Sequence, residues 1–228
     1  MANHLDLEEQ EQLDQLKHFW RTWGTLISIG IIVVAGSFAA WNGYQFWQNR
    51  QASQAASLFD VVDVAVQQGS EARFTQAFVD LKSQYPGTTQ ASQAGLLVSK
   101  SAFTSNATDV AKDALGWTVE NSSDEGLKAL ARLRLASVLI DQMKLDDAMS
   151  QLSGNFPVYF EALVSDRRGD VLVLQDKKAD AITHYQKALA ALDSEVEYRR
   201  LIEIKLASLG VAAVPGRTDA ASVRREAK

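Results

Sequence analysis

The side chains able to carry chemistry are few and scattered along the chain. Of three histidines, His4 lies in an acidic N-terminal arm, His18 precedes a long apolar run, and His184 sits beside Tyr185 in a helical segment. A metal site or general base needs partners at fixed spacing, and none of the three has a second His at ligand distance along the sequence. Asp166, Asp170 and His184 would form a metal-binding constellation only if folding brought all three together. Asp146-Asp147 resembles a carboxylate pair, but adjacent residues on a helix point to different faces, and acids in a first helical turn favour the helix dipole. With no cysteine, disulfides, thiolate nucleophiles and cysteine-built zinc or iron-sulfur sites are excluded. HExxH, G-x-S-x-G, G-x-G-x-x-G and P-loop patterns are also absent from the sequence. The expectation is therefore no enzyme, no catalytic or metal-ligating residue, and no cofactor.

The elements that would position these residues divide sharply. Across 228 residues, 23 Lys+Arg oppose 28 Asp+Glu, for a net charge of -5. Nothing here clusters into the basic surface that nucleic acid requires. Thr22 to Asn49 contains no charged residue, and Thr25 to Trp41 reads TLISIGIIVVAGSFAAW. A bilayer core about 30 Å thick takes about 20 such residues, so residues 24–47 are predicted to form a transmembrane helix. Trp20 and Trp23 stand at one end and Trp41, Tyr44 and Trp47 at the other, as interfacial aromatics do. Ser37-Phe38-Ala39 resembles a signal-cleavage site, but the acidic arm before the run and the aromatics after it are the wrong flanks. Lys17 and Arg21 precede the span and Arg50 follows it, which places residues 1–23 in the cytoplasm, the span in the lipid bilayer and residues 48–228 on the far side. Gly36, Ala40 and Gly43 form a small-residue stripe at helical spacing, a candidate transmembrane contact face.

Past Arg50 the periodicity is helical. Predicted helices run over 51–68, 71–84, 90–104, 108–119, 125–142, 145–152, 159–175, 178–192 and 195–209, with Ser70 and Asp124 as N-caps. A period of 33 residues relates Ala136 to Gly169 and Ala148 to Ala181. Small residues at these places let paired helices approach, with Leu152 and Tyr185 filling the groove between them. Both segments resemble the tetratricopeptide repeat, and a degenerate third unit covers 90–119, with Ala111 and Leu115 in the second helix. The fold class expected is all-α: one N-terminal transmembrane helix, then a TPR-like α-solenoid of antiparallel helix pairs over 48–213. A C-terminal capping helix, with Val196, Leu201, Ile204 and Leu206 on its apolar side, closes it. Residues 214–228 read as a disordered tail.

A solenoid's first helices line its concave face, which makes Leu130, Leu133, Ser137, Ile140, Asp141, Leu163, Asp166, Asp170, Val173 and Leu174 a candidate partner groove. The order of acidic arm, LKHFWRTWGTL entering one span, WNGYQFWQNRQ leaving it, and the repeats LKALARLRLASVLIDQMKLDDAMSQL and DRRGDVLVLQDKKADAITHYQKAL is similar to that of the YfgM family of bacterial inner-membrane proteins. The resemblance, from about Leu16 to Leu209, implies an inner-membrane protein with a periplasmic repeat domain. It further implies an ancillary subunit of the Sec translocon, with translocon subunits, a membrane-anchored periplasmic chaperone and exported client proteins as partners. A scaffold for outer-membrane or cell-division machinery, without translocon contact, is the alternative reading of the same repeats.

Overall fold

The computed structural model describes residues 7–193 and 196–211. Met1 to Asp6 of the arm and the predicted tail at 214–228 lie outside the described residues. Among the described residues all regular structure is helical. The chain divides into two compact units, one ending at Gln51 and the next starting at Ala52.

The first unit is carried on α1 (Leu7–Gln67), a helix of 61 residues. It contains a stretch long and apolar enough to cross a membrane, and only 6% of that stretch is buried within the protein. A soluble core helix would be mostly covered; here Ile32, Val34 and Phe38 remain 69%, 70% and 70% exposed. The aromatic residues that flank the span, from Trp23 to Trp41, are separated by about 27 Å at 1.5 Å per residue, close to the hydrocarbon thickness. Trp20 lies against the Cα of Gly24, where an added Cβ would meet its indole at 3.2 Å. The segment 51–68, expected as a separate helix, is the continuation of α1, because neither Gly nor Pro interrupts residues 44–67.

In the second unit the end of α1 and the helices α2 (Glu71–Gln84), α3 (Thr89–Thr104), α4 (Thr108–Asn121), α5 (Glu125–Asp141), α6 (Leu145–Leu152), α7 (Glu161–Leu174) and α8 (Lys178–Ala190) form four successive hairpins. Each hairpin turn contains one residue in the left-handed region: Gly69 (φ 67°), Asn106 (63°), Met143 (57°) and Asp176 (60°). In the last three turns the following amide reaches back to close the helix: Ala107 N–H to Ala102 O at 2.8 Å, Lys144 N–H to Leu139 O at 2.9 Å, and Lys177 N–H to Leu172 O at 2.8 Å.

These turn residues fix a register that the whole core obeys. Five positions after each stand Phe74, Ala111, Ala148 and Ala181, all 0% exposed. Nine positions after stand Phe78, Leu115, Leu152 and Tyr185, all buried. The spacings between turns are 37, 37 and 33 residues, so the 33-residue period belongs to the last two hairpins alone. Gly169 is required where α7 meets α8: an added Cβ would lie 2.6 Å from Tyr185 Cδ1. Gly95 likewise admits Thr118, and there a Cβ would also stand 3.2 Å from the Ala114 carbonyl oxygen.

Helix α9 (Tyr198–Ser208) ends at Gly210 (φ 84°) with Val211 N–H on Leu206 O at 3.1 Å, the same closure as the hairpin turns. It is thus a first helix that caps the stack. Its buried residues are Ile202 and Leu206. Of the apolar side expected for it, only Leu206 is covered; Val196, Leu201 and Ile204 are 40%, 45% and 60% exposed. The rotation that seats Ile202 and Leu206 brings Lys205 onto α7 and turns Leu201 and Ile204 outward. Two smaller expectations also change. Asp124 caps α5 by accepting from Leu127 N, whereas Ser70 holds the N-cap position of α2 with no side-chain bond. The segment starting at Tyr159 opens as a 3-10 turn, Val158–Phe160, because Pro157 fixes the backbone just before it.

Candidate functional site

First helices from successive hairpins stack side by side, and the same register position repeatedly meets the helix before it. Leu133 on α5 and Val171 on α7 lie in one apolar cluster, with Leu96 of α3 and Val138 of α5. At the last joint that position is Lys205, and the facing residues are acidic. The Lys205 ammonium donates to both oxygens of Asp166 at 2.7 and 2.9 Å and to Asp170 Oδ1 at 2.6 Å. Asp166 also accepts from the Tyr198 hydroxyl at 2.6 Å; Asp170 accepts from Tyr185 at 2.8 Å and from Arg167 at 2.8 Å. Burial, followed by the hydrogen bonds to these carboxylates, pushes both tyrosines far above their ordinary range. The cluster is an ionic joint with every group engaged.

This arrangement decides the fate of the predicted groove. Asp166 is 0% exposed and Leu133 7%, so neither is available to a partner: Leu133 is core, and Asp166 is sealed under α9. Asp170 is committed to Lys205, Arg167 and Tyr185, and Val173 packs against the α9 cluster. Asp141 and Leu174 are exposed, while Leu130, Ser137, Ile140 and Leu163 are half-buried. The groove's α7 segment is therefore largely filled by the capping helix.

His184 does not join Asp166 and Asp170, and among the described residues no cluster of His, Asp and Glu is arranged to hold a metal ion. Its Nδ1 is buried without a hydrogen-bond partner among the described residues. Burial, with Arg168 and Lys187 nearby, lowers its pKa. Asp146 and Asp147 are exposed in the first turn of α6, where Asp146 accepts from Gln175 at 3.2 Å.

An opening of about 330 Å³ remains between α3 and α5, bounded by Ser99, Lys100, Phe103, Leu115, Arg134 and Val138. Phe103 is 46% exposed at its mouth. Arg134 donates to the Leu96 carbonyl at 3.1 Å, and burial lowers its pKa. Of the predicted groove residues only Ser137 borders this opening. On the span, Gly36, Ala40 and Gly43 are exposed with open space above Gly36 and Gly43. A shallow depression lies elsewhere on that helix, around Gly30, between Ile27, Ile31 and Phe38.

Sequence comparison bears on this architecture directly. Residues 17–211 match the family model described as a tetratricopeptide repeat-like domain. A protein of Neisseria gonorrhoeae named ancillary SecYEG translocon subunit is 34% identical over 213 residues, covering 92% of this chain and 100% of the relative. The chain belongs to the YfgM family. Relatives with the same name in Haemophilus influenzae and Escherichia coli are 28% and 24% identical, over 89% of this chain and 98% and 97% of their own lengths. No solved structure shows a significant match to the chain. The order of one apolar helix followed by repeats, from which the YfgM resemblance was drawn, thus agrees with full-length relatives.

The sequence reasoning missed the ionic joint and the α3–α5 opening. A signal for the joint was present: Asp166 and Asp170 occupy the register positions held by Leu133 and Ser137 one hairpin earlier. Acids at positions otherwise apolar or neutral call for a cation from the next helix. The opening left no such trace, because it arises from how Ser99, Ser137 and Val138 meet across two helices.

Proposed function

We propose that this protein is a non-enzymatic, single-pass inner-membrane component associated with the Sec translocon. In this reading the apolar span docks against translocon helices, and the repeat unit, on the periplasmic side, engages chaperones and emerging exported proteins. The observation that carries it is the end-to-end match to relatives named ancillary SecYEG translocon subunit. The exposed apolar helix and the hairpin stack supply the two physical means, an anchor and a protein-binding scaffold. Tethering near an exit site raises the effective concentration of the repeats there without any new contact. The orientation rests on Lys17 and Arg21 against Arg50.

In-cell photo-crosslinking tests this reading. Probes at Gly36 and Ala40 should give adducts with a translocon subunit, and probes at Ile140 and Leu174 with a periplasmic chaperone or a nascent chain. Leu174 is preferred over Val173, which is packed against the α9 cluster. Adducts with outer-membrane or cell-division components alone would replace the translocon role with the scaffold reading.

A further inference from the structure

The joint between α3 and α5 differs from those that follow it. At α5 and α7, Leu133 and Val171 belong to one closed apolar cluster. At α7 and α9, Lys205 is matched by two carboxylates. At α3 and α5 the equivalent residues, Leu96 and Val138, join that same cluster, but beside them lies the opening of about 330 Å³, floored by the nearly buried Leu115 and Val138 and with Phe103 half out of its mouth. Two cations, Lys100 and Arg134, stand on its border, and neither forms an ion pair among the described residues. Arg134 spends a donor on the Leu96 carbonyl, which fixes its guanidinium at the edge and leaves further N–H groups for a ligand.

We propose that this opening is a receptor for an acidic, extended segment of a partner polypeptide that inserts one bulky apolar side chain. The inserted side chain would pack chiefly on Phe103, over the floor made by Leu115 and Val138, and flanking carboxylates would meet Lys100 and Arg134. The volume suits one aromatic or branched aliphatic side chain with part of its backbone, and an opening already present lowers the ordering cost of building a site on binding. Charge complementarity selects the occupant: a lysine-rich segment would face like charges, and a segment without a large apolar residue would leave the opening empty. The inference rests on the reading of the repeats as a protein-binding unit and names the class of segment they take.

The test uses the full-length chain in detergent micelles and fluorescence anisotropy with a fluorescein-labelled peptide, Ser-Asp-Glu-Phe-Asp-Glu-Ser. Saturable binding is expected, weakened about tenfold or more by Lys100→Glu with Arg134→Gln, the latter retaining a donor for the Leu96 carbonyl. Ser137→Phe, which fills the opening, should weaken binding to a similar degree, with the helical circular dichroism of each variant unchanged. Lys82→Glu with Lys112→Glu, at the depression between α4 and α6, should leave binding as it was. Equal binding by a peptide with Ala for Phe, no effect of the Lys100 and Arg134 changes or of Ser137→Phe, or no saturation up to about 1 mM would each overturn the proposal. Span adducts with the translocon are read separately. Their loss with peptide binding intact removes the translocon reading alone, and the reverse removes the receptor alone.

Discussion

Replacing Lys205 by methionine removes the cation from the joint between α7 and α9 while keeping most of the side-chain volume. In the native protein its ammonium lies 2.7 Å from Asp166 and 2.6 Å from Asp170, with Lys205, Asp166 and Asp170 side chains 22%, 0% and 19% exposed. After the change, Asp170 still has Arg167 and Tyr185, but Asp166 is left with the Tyr198 hydroxyl alone. Stranding one member of a buried pair costs about 3–5 kcal/mol, and because only one of the two carboxylates is stranded the lower end applies, about 3 kcal/mol. That is on the order of a hundredfold increase in opening of α9. Hydrogen exchange of the α9 amides, with those of α5 as internal reference, reads this directly. Adding Asp166→Leu to Lys205→Met removes the stranded charge as well and should recover about 2 kcal/mol relative to the sum of the single changes. If the two substitutions are additive within about 0.5 kcal/mol, or α9 exchanges no faster in Lys205→Met, the ionic joint does not hold the cap and the reasoning fails.

Three further outcomes follow from the geometry. Gly169→Ala should lower stability by about 1–3 kcal/mol in urea unfolding, since the new Cβ meets a Tyr185 ring that Asp170 holds in place; an unchanged midpoint would contradict the close approach. Asp124→Ala should cost about 1 kcal/mol by loss of the bond to Leu127 N, while Ser70→Ala, which breaks no cap bond, should be nearly silent by the same measurement. Burial and the nearby Arg168 and Lys187 depress the His184 pKa, so the unfolded chain binds a proton there more readily, and stability falls as pH drops below about 6.5, the unfolded value. Melting temperatures of His184→Gln should fall less steeply below that pH than those of the native protein, and parallel curves would assign the acid sensitivity elsewhere.

The helix boundaries were largely legible because punctuation and periodicity coincide: Glu71–Gln84 and Leu145–Leu152 occur as read, and the left-handed residues Met143 and Asp176 fall in the gaps between the helices predicted on either side of them. The first hairpin was hidden because its two helices carry Val62 and Phe74 where later units have small residues, and because its opening helix is continuous with the one that carries the apolar span. The degenerate unit over α3 and α4 is a full hairpin, obscured by its spacing of 37 residues to the next turn. The groove was legible only as a row of positions. Composition cannot tell which row members face solvent when a later helix lies on top, as α9 does over Asp166. The face of α9 was misassigned for a related reason: Leu201 and Ile204 are as apolar as Ile202, and what distinguishes them is the docking of Ile202 and Leu206 in the apolar cluster together with the meeting of Lys205 with two carboxylates, neither of which is visible along α9 alone.

The change from apolar to ionic contact at the last joint also constrains how such a chain can be edited by duplication or loss. A copied internal hairpin would present an apolar joint at each end and could be spliced between others with little penalty. A hairpin added after α8 would have to bring a cation of its own to this joint, or leave Asp166 without one while Asp170 keeps Arg167. The acid pair thus acts as a termination mark for the array, permissive of variation in the middle and selective about what comes last.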